Sequence, residues 1–460
     1  MIWNLKEINE ALSIKKSVNY NFNFSNISID SRNLDNNSLF IPIKGQNFDG
    51  HNFIDHAAQN GAEFSLVEKK KKHLVKNKKI SLIEVDNTQN SLVQLAKHVT
   101  KKNKNIKIIC ITGSSGKTTL KDWLSKILKK EFVVYSNPGN FNNHIGMPLS
   151  LINIPQKSEI CILELGMNSY GEIKKLAEIA KPHIAIITNI GNAHIGNFSN
   201  ALEIAREKSD IFRYFNKNST AILPGDSIYI NLIKKKAQQK TNKIFTFGQN
   251  ENCDSKFINL TDEKISFIIS KQRIDLKKRI KFKNWEINIS IILIVLKILK
   301  VNLKKLSLNL EKLKPLSGRG EIVKIKKGSK NIYLIDESYN SSPSALITAI
   351  ENLNQKSFNS NEKILVIGDM LELGKFSNEF HKKIIKAVIG VQPRIVITVG
   401  NISDVISKNL PKNIKTFHFK KVFYVYNRLI KEIKHNDIIM IKGSNSVKLS
   451  LIAKALCEEN

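Results

Sequence analysis

Cysteine is scarce in this chain. Cys110, Cys161, Cys253 and Cys457 are spread over 460 positions with no CxxC pair. That distribution excludes a disulfide framework and a zinc knuckle, and it fits a reducing, cytoplasmic setting. Uninterrupted apolar runs are also missing. The longest, Ile287 to Leu299, is broken by Asn288, Ser290 and Lys297. It falls short of the roughly 20 residues that a membrane span requires, so it reads as one buried helix and no stable membrane insertion is expected. The opening MIWNLKEINEAL lacks the basic-then-apolar layout of a secretion signal.

Acidic residues are the minority: 40 Asp+Glu stand against 73 Lys+Arg, a net charge of +33. Such an excess admits a basic P-loop protein that binds nucleic acid, or a membrane-surface partner. Against that, the lysines are scattered apart from Lys69 to Lys72, and no aromatic-interleaved basic motif occurs. The whole chain is rich in Lys, Asn and Ile, as A/T-biased coding produces. A charge run specifies no partner by itself, so no nucleic-acid partner is expected.

A length prior of roughly 150 residues per domain suggests three domains. Residues 1–105 hold short strand-like runs, the turn-rich loop Lys44 to Gly50, a helix over 52–60 ending at Gly61, a solvated basic stretch over 69–79 and a helix over 91–102. At Ile106 the pattern changes to a buried strand, Ile106 to Ile111. Strand candidates recur at 132–135, 160–163 and 184–187, with helical patterns between them. A second break lies at Pro315 to Gly320, after which strands at 331–335, 363–367, 394–399 and 437–441 alternate with helices. The expected fold is therefore α/β: a small N-terminal α/β domain (1–105), a central P-loop domain on a largely parallel sheet (106–315) and a C-terminal Rossmann-like α/β domain (316–460).

Gly113-Ser114-Ser115-Gly116-Lys117-Thr118-Thr119 joins the strand at 106 to a helical pattern reaching Lys130. An ordinary Gly-Ser turn is one reading. The other is a nucleotide loop, in which glycines let backbone N–H groups face an anion at a helix N-terminus. Lys117 then supplies a point charge for the terminal phosphates and Thr118 a hydroxyl for Mg²⁺. The spacing GxxGKT is shorter than the usual loop because Ile111 occupies the first glycine position. Placement directly after an apolar strand favours the nucleotide. Glu164 follows the apolar run Ile160 to Leu163. Alone it reads as a capping acid; beside a phosphate loop it suits a metal shell.

These motifs occur in an ordered set. TGSSGKTT is followed by NPGNFNNHIGMP (137–148), ELGMN (164–168), TNIGNAHIGNF (188–198) and AREKSDIF (205–212). Then come SGRGE (317–321), IDESYNSSP (335–343), GDMLELG (368–374) and IKGSNS (441–446). Together they resemble the Mur ligases, and SIDSRNLDNNSLFIPIKGQNFDGHNF resembles that family's uridine-nucleotide domain. Within the family, SYNSSP and GDMLELG are similar to the branch that adds D-alanyl-D-alanine, and the DNPR-type motif of the diaminopimelate-adding branch is absent.

The resemblance implies ATP-dependent amide-bond formation in peptidoglycan precursor synthesis. ATP converts a peptide carboxylate to an acyl phosphate, and an amine displaces phosphate. Its implied partners are UDP-N-acetylmuramoyl-tripeptide and D-alanyl-D-alanine, its cofactors ATP and Mg²⁺, and a monomer is expected. By matching residues, Lys117, His194 and Lys208 are the catalytic set. Thr118 and Glu164 hold the Mg²⁺ nearest ATP, His194 a second metal, and Lys208 is the lysine that relatives carbamylate with CO₂. Gly113 to Thr119, Asn288, Arg319, Asp336, Tyr339 and Asn340 are implied for ATP. Ser31, Arg32, Lys44, Gly45, His51, Asn140, Asn142, Asn143 and Lys442 are implied for the other substrates.

Three positions depart from the family pattern: Asn284 replaces a usual histidine, Lys448 a common arginine and Asn37 a usual glycine. Other readings are a different Mur-type or folylpolyglutamate-type ligase, and an inactive scaffold. The intact set Lys117, Thr118, Glu164, His194 and Lys208 argues against the scaffold.

Overall fold

The computed structural model describes residues 3–14, 22–261, 264–277, 285–354 and 362–458. Three sheet-centred units make a three-domain α/β protein. The first carries four parallel strands in the order Asn26–Ser28, Ser38–Phe40, Ala62–Glu68, Ser81–Val85. The middle sheet has nine strands. Its parallel part runs Val134–Ser136, Ile160–Glu164, Lys107–Thr112, Ile184–Ile187, Thr220–Pro224, Ile244–Gly248, Ser255–Asn259. The third sheet has six strands: an antiparallel pair, Glu321–Lys327 with Lys330–Glu337, then Ile438–Lys442, Lys363–Gly368, Ile395–Val399 and Lys415–Phe419 in parallel.

The central strands are covered on both faces, which is why they read as near-continuous apolar runs rather than alternating ones. In Lys107–Thr112 only the lysine is exposed. The sheet is largely parallel, as expected, and ends in an antiparallel edge. Lys264–Ile269 and Gln272–Lys277 extend the middle sheet as an antiparallel hairpin. Its tight turn puts Ser270 and Lys271 at φ of 48° and 68°. Such hairpins usually advertise themselves with Asn-Gly or Gly-Gly, and this one does not.

The apolar run forms the helix Trp285–Ile298, buried nearly all round, as an apolar helix without a polar face must be. No described helix is long and apolar enough to cross a membrane. The stretch expected to be solvated is partly structured. Lys69–Leu74 is a 3₁₀ helix, and Lys71 pairs with Asp49 at 2.9 Å and Glu68 at 3.0 Å. Asn37 has φ 66°, a left-handed conformation that asparagine tolerates and that explains the glycine usual there. Lys448 is also left-handed, and Asn284 lies outside the described residues.

The units are joined by polar contacts. Trp3 Nε1 donates to Ile152 O at 2.9 Å. Asn153 pairs both ways with Ile27, accepting its N–H at 3.2 Å and donating to its carbonyl at 2.8 Å. On the other side, Gly196 N–H donates to Glu372 O at 2.9 Å.

Candidate active site

The phosphate-type loop leaves the carboxyl end of Lys107–Thr112, with strands on either side ending level with it. Ligands of open α/β sheets bind at such an edge. Gly113 has φ 151°, and a Cβ there would meet Thr188 Oγ1 at 1.9 Å. Gly116, at φ 81°, is the N-cap of the helix Lys117–Leu128. The loop is clamped from the next strand's end. Thr188 Oγ1 donates to Ser115 O at 2.6 Å, Ser115 N–H donates to Asn189 Oδ1 at 2.9 Å, and Gly191 N–H donates to Ser114 Oγ at 2.8 Å.

Glu164 pairs in register with Ile111 at the end of the adjacent strand. Both its oxygens are held: Thr118 Oγ1 donates to Oε2 at 2.7 Å, and Asn142 Nδ2 donates to Oε1 at 2.7 Å. Arg319, from the third unit, donates to Thr118 Oγ1 at 3.0 Å and stacks its guanidinium 3.8 Å from the centroid of the Tyr339 ring. A contact chain therefore runs from the C-terminal unit through Thr118 to Glu164. Lys117 Nζ donates to Gly113 O at 2.7 Å.

Burial and the neighbouring cations set the lysines' chemistry. Burial lowers the Lys117 pKa; Glu164 opposes the shift and Arg319 adds to it. Lys208, only 1% exposed, is pushed well below the ordinary lysine range by burial, then by Lys117, against the pull of Glu207. Glu207 is anchored separately. It accepts Gly171 N–H at 2.8 Å and Ile173 N–H at 2.9 Å at the start of the helix Glu172–Ala180, and this fixes the turn from which Lys208 projects. Glu372 Oε2 lies 2.5 Å from His194 Nδ1, and the imidazole holds the carboxyl below its ordinary range.

One cavity of about 1120 Å³ collects most of the expected residues. Its lining includes Ser114 to Thr119, Asn140, Asn142, Asn143, Glu164, His194, Lys208, Asn288, Arg319, Tyr339, Asn340 and Lys442. The volume exceeds the 300–1,000 Å³ or so of a typical small-ligand pocket and suits two substrates side by side. Lys442 is buried and donates to Glu337 Oε2 at 3.1 Å and Asn340 O at 2.9 Å. Gly113 and Asp336 stand outside the lining, and the Asp336 carboxylate accepts Ser338 N–H at 3.0 Å.

The first unit's expected residues are not brought into that cavity. Arg32 is exposed and paired with Asp30 at 2.7 Å. Ser31 Oγ lies 3.1 Å from His56 Nδ1. Lys44 and Asp49 form an isolated antiparallel backbone pairing, and Gly45 N–H donates to Phe48 O at 2.8 Å. His51 is fully buried, with Nδ1 2.7 Å from Asp49 and Nε2 accepting Glu68 N–H at 3.3 Å.

Comparison with known proteins adds to this geometry. Three family models match in order: "Mur ligase family, catalytic domain" over 23–100, "Mur ligase middle domain" over 111–294 and "Mur ligase, glutamate ligase domain" over 318–445. The chain is 32% identical over 457 residues to the UDP-N-acetylmuramoyl-tripeptide--D-alanyl-D-alanine ligase of Rickettsia prowazekii, covering 98% of this chain and 99% of that one. The chain belongs to the Mur ligase family. Among solved structures it resembles MurF from Acinetobacter baumannii (TM-score 0.87, 25% identity, covering 100% and 99% of the two chains). It also resembles the MurF ligase of Thermotoga maritima in complex with ADP (TM-score 0.79, 27% identity, covering 94% and 96%).

In this Mur ligase several site residues carried no separate signal in the sequence. Thr188 and Asn189 sit inside TNIGNAHIGNF, yet they clamp the phosphate loop rather than mark a metal. Glu372 sits inside GDMLELG and meets His194. Lys121, a buried cation 4.0 Å from Glu164, has only its spacing of one helical turn from Lys117 to betray it.

Proposed function

We propose that this Mur ligase joins D-alanyl-D-alanine to UDP-N-acetylmuramoyl-tripeptide at the expense of ATP, in peptidoglycan precursor synthesis. The Arg319–Thr118–Glu164 chain carries the nucleotide half of this reading, because it links the phosphate loop to both α/β units at one point. The names of the full-length relatives support the substrate half.

The reaction is an acyl transfer in two steps. A carboxylate oxygen of the tripeptide attacks the γ-phosphorus of ATP and ADP leaves, giving an acyl phosphate. The amine of D-alanyl-D-alanine then attacks the acyl carbon, loses a proton and expels inorganic phosphate. Two anions meet in the first step, so the site must supply positive charge aimed at the transferring group. Lys117 belongs to the loop, and Arg319 reaches its Thr118 hydroxyl.

Mg²⁺ fits this site. Among the described residues no three His, Cys, Asp or Glu side chains converge as a cage. Mg²⁺ does not require one, since it takes one or two protein oxygens plus phosphate and water. The Thr118 hydroxyl and Glu164 carboxylate are such oxygens, in contact at 2.7 Å. The metal, when bound, neutralises phosphate charge. His194 serves a second metal in this reading. The depressed pKa of Lys208 supports a neutral amine, the form that combines with CO₂ to give a carbamate oxygen ligand.

The other residues divide between the substrates. Gly113 to Thr119, Asn288, Arg319, Tyr339, Asn340 and Asp336 serve ATP. Asn140, Asn142, Asn143 and Lys442 serve the peptide and the amine, and Ser31, Arg32, Lys44, Gly45 and His51 the uridine end. Domain limits of 1–105, 106–315 and 316–460, a monomeric state and a cytoplasmic location complete the proposal.

The test offers the purified protein ATP, the UDP-muramoyl-tripeptide and a panel of amines, and measures phosphate release. D-alanyl-D-alanine should stimulate release. Stimulation by D-glutamate or diaminopimelate instead would refute the assignment.

A further inference from the structure

Lys121 is 5% exposed and does not line the cavity. It follows Lys117 by one turn on the same helix face. Its ammonium donates to Asn137 O at 2.6 Å and Gly139 O at 2.9 Å, and stands 4.0 Å from Glu164 Oε2. A buried lysine is costly unless its charge and donors are answered. Here two carbonyls and one carboxylate answer them.

Those carbonyls belong to the loop that carries Asn142. The loop is fastened to the Glu164 strand as well. Asn137 accepts Glu164 N–H at 2.9 Å and donates to Phe141 O at 2.7 Å. Gly166 N–H donates to Asn142 O at 2.8 Å. A Cβ on Gly166 would stand 2.8 Å from Asn142 Oδ1, so the strand end is cut back to admit that amide. The amide then donates to Glu164 Oε1.

We propose that Lys121 is a positioning residue for the metal–nucleotide complex. Its buried ammonium pins the Asn137–Asn143 loop, so that Asn142 and Thr118 grip opposite oxygens of Glu164. It also supplies the positive charge behind that carboxylate. Lys117 and Lys121 thus divide the work, one facing the loop's ligand and one holding the carboxylate in aim. This inference rests on the nucleotide reading above.

The experiment measures Mg²⁺-dependent binding of ADP by calorimetry, with thermal unfolding alongside, for the parent chain and for Lys121→Met, Asn142→Ala and the double variant. Loss of an outer-shell partner typically costs about 10- to 100-fold in metal affinity. Each single variant should lose that much in apparent Mg²⁺ affinity, while ADP binding without metal changes less than about two-fold. The double variant should lose no more than the worse single one, because both act through Glu164. Mg²⁺ affinity unchanged in Lys121→Met or in Asn142→Ala, or fully additive losses in the double variant, would overturn the proposal. If Lys121→Met does not fold, Lys121→Arg, which keeps the charge but not the fit to the Asn137 and Gly139 carbonyls, takes its place in the same measurement. A parent chain that binds no Mg²⁺–ADP would instead sink the nucleotide reading itself.

Discussion

His194 and Glu372 meet at 2.5 Å across the seam between the middle and C-terminal units, and both hold left-handed backbone, at φ 63° and 62°. Non-glycine residues rarely keep that conformation without cause. The cause here is docking: beside them Gly196 donates to Glu372 O, and Gly374 packs against Gly196. A Cβ on Gly196 would stand 2.5 Å from Gly374 N. Gly196→Ala should therefore push the two units apart. Because about 1 Å of misplacement costs on the order of 100-fold in rate, kcat should fall 10- to 100-fold with the fold retained. Small-angle scattering should register a larger radius. Normal kcat at an unchanged radius would mean that this seam does not set the geometry.

Lys117→Ala should cut turnover sharply while leaving the fold intact. The expected loss is about 10²–10³-fold, the usual cost of removing one preorganised electrostatic contact. Phosphate release and thermal unfolding, measured together, check it. Persisting activity would remove the phosphate loop from the chemistry.

Lys208→Met should make the protein more stable and less active. Burial beside a second cation drives the proton off Lys208 at a cost to folding, and a thioether carries no such cost. At neutral pH the unfolded chain binds the Lys208 proton more tightly than the folded one. The parent's deficit should therefore shrink as pH rises towards the ordinary lysine value of 10.5. Urea midpoints at pH 7 and pH 9.5 measure this. A variant less stable than its parent at both values would contradict the argument.

Asp49 gives an acid-side prediction. Burial opposes its ionisation, but hydrogen bonds from Lys71 and His51 outweigh that and hold its pKa well below the ordinary 3.8. A depressed carboxyl stabilises above its unfolded pKa and loses that contribution as pH falls through the folded one. Asp49→Asn should cost about 1–2 kcal/mol at pH 7, the scale of a charge-assisted bond, and progressively less below about pH 4. Denaturant midpoints across that range provide the check. A gap independent of pH would show that the charge is not what matters.

Much of this was legible in the residues. The strand, loop and helix around Gly113 to Thr119 lie where apolar runs and glycines put them, and Glu164 ends its strand as expected. The antiparallel hairpin was not legible, because Ser270 and Lys271 make a turn that their types do not announce. Lys121 was hidden for a different reason. A lysine in a lysine-rich chain reads as solvated, and only the carbonyls of Asn137 and Gly139 reveal that this one is not. Its motif marks His194 for a metal, but the contact with Glu372 depends on how two units dock, which no local pattern encodes.

The indole of Trp3 ends on Ile152, and Asn153 is tied in both directions to Ile27. The front of the chain is therefore no detachable cassette. A chimera that exchanged the first hundred residues for a relative's would orphan a buried indole donor and cut a two-way amide clasp. Grafts that also carry the helix Gly146–Ile152 and Asn153 keep both ends of the seam in one lineage. The place to splice this enzyme is thus set by where its side chains reach, not by where its first sheet stops.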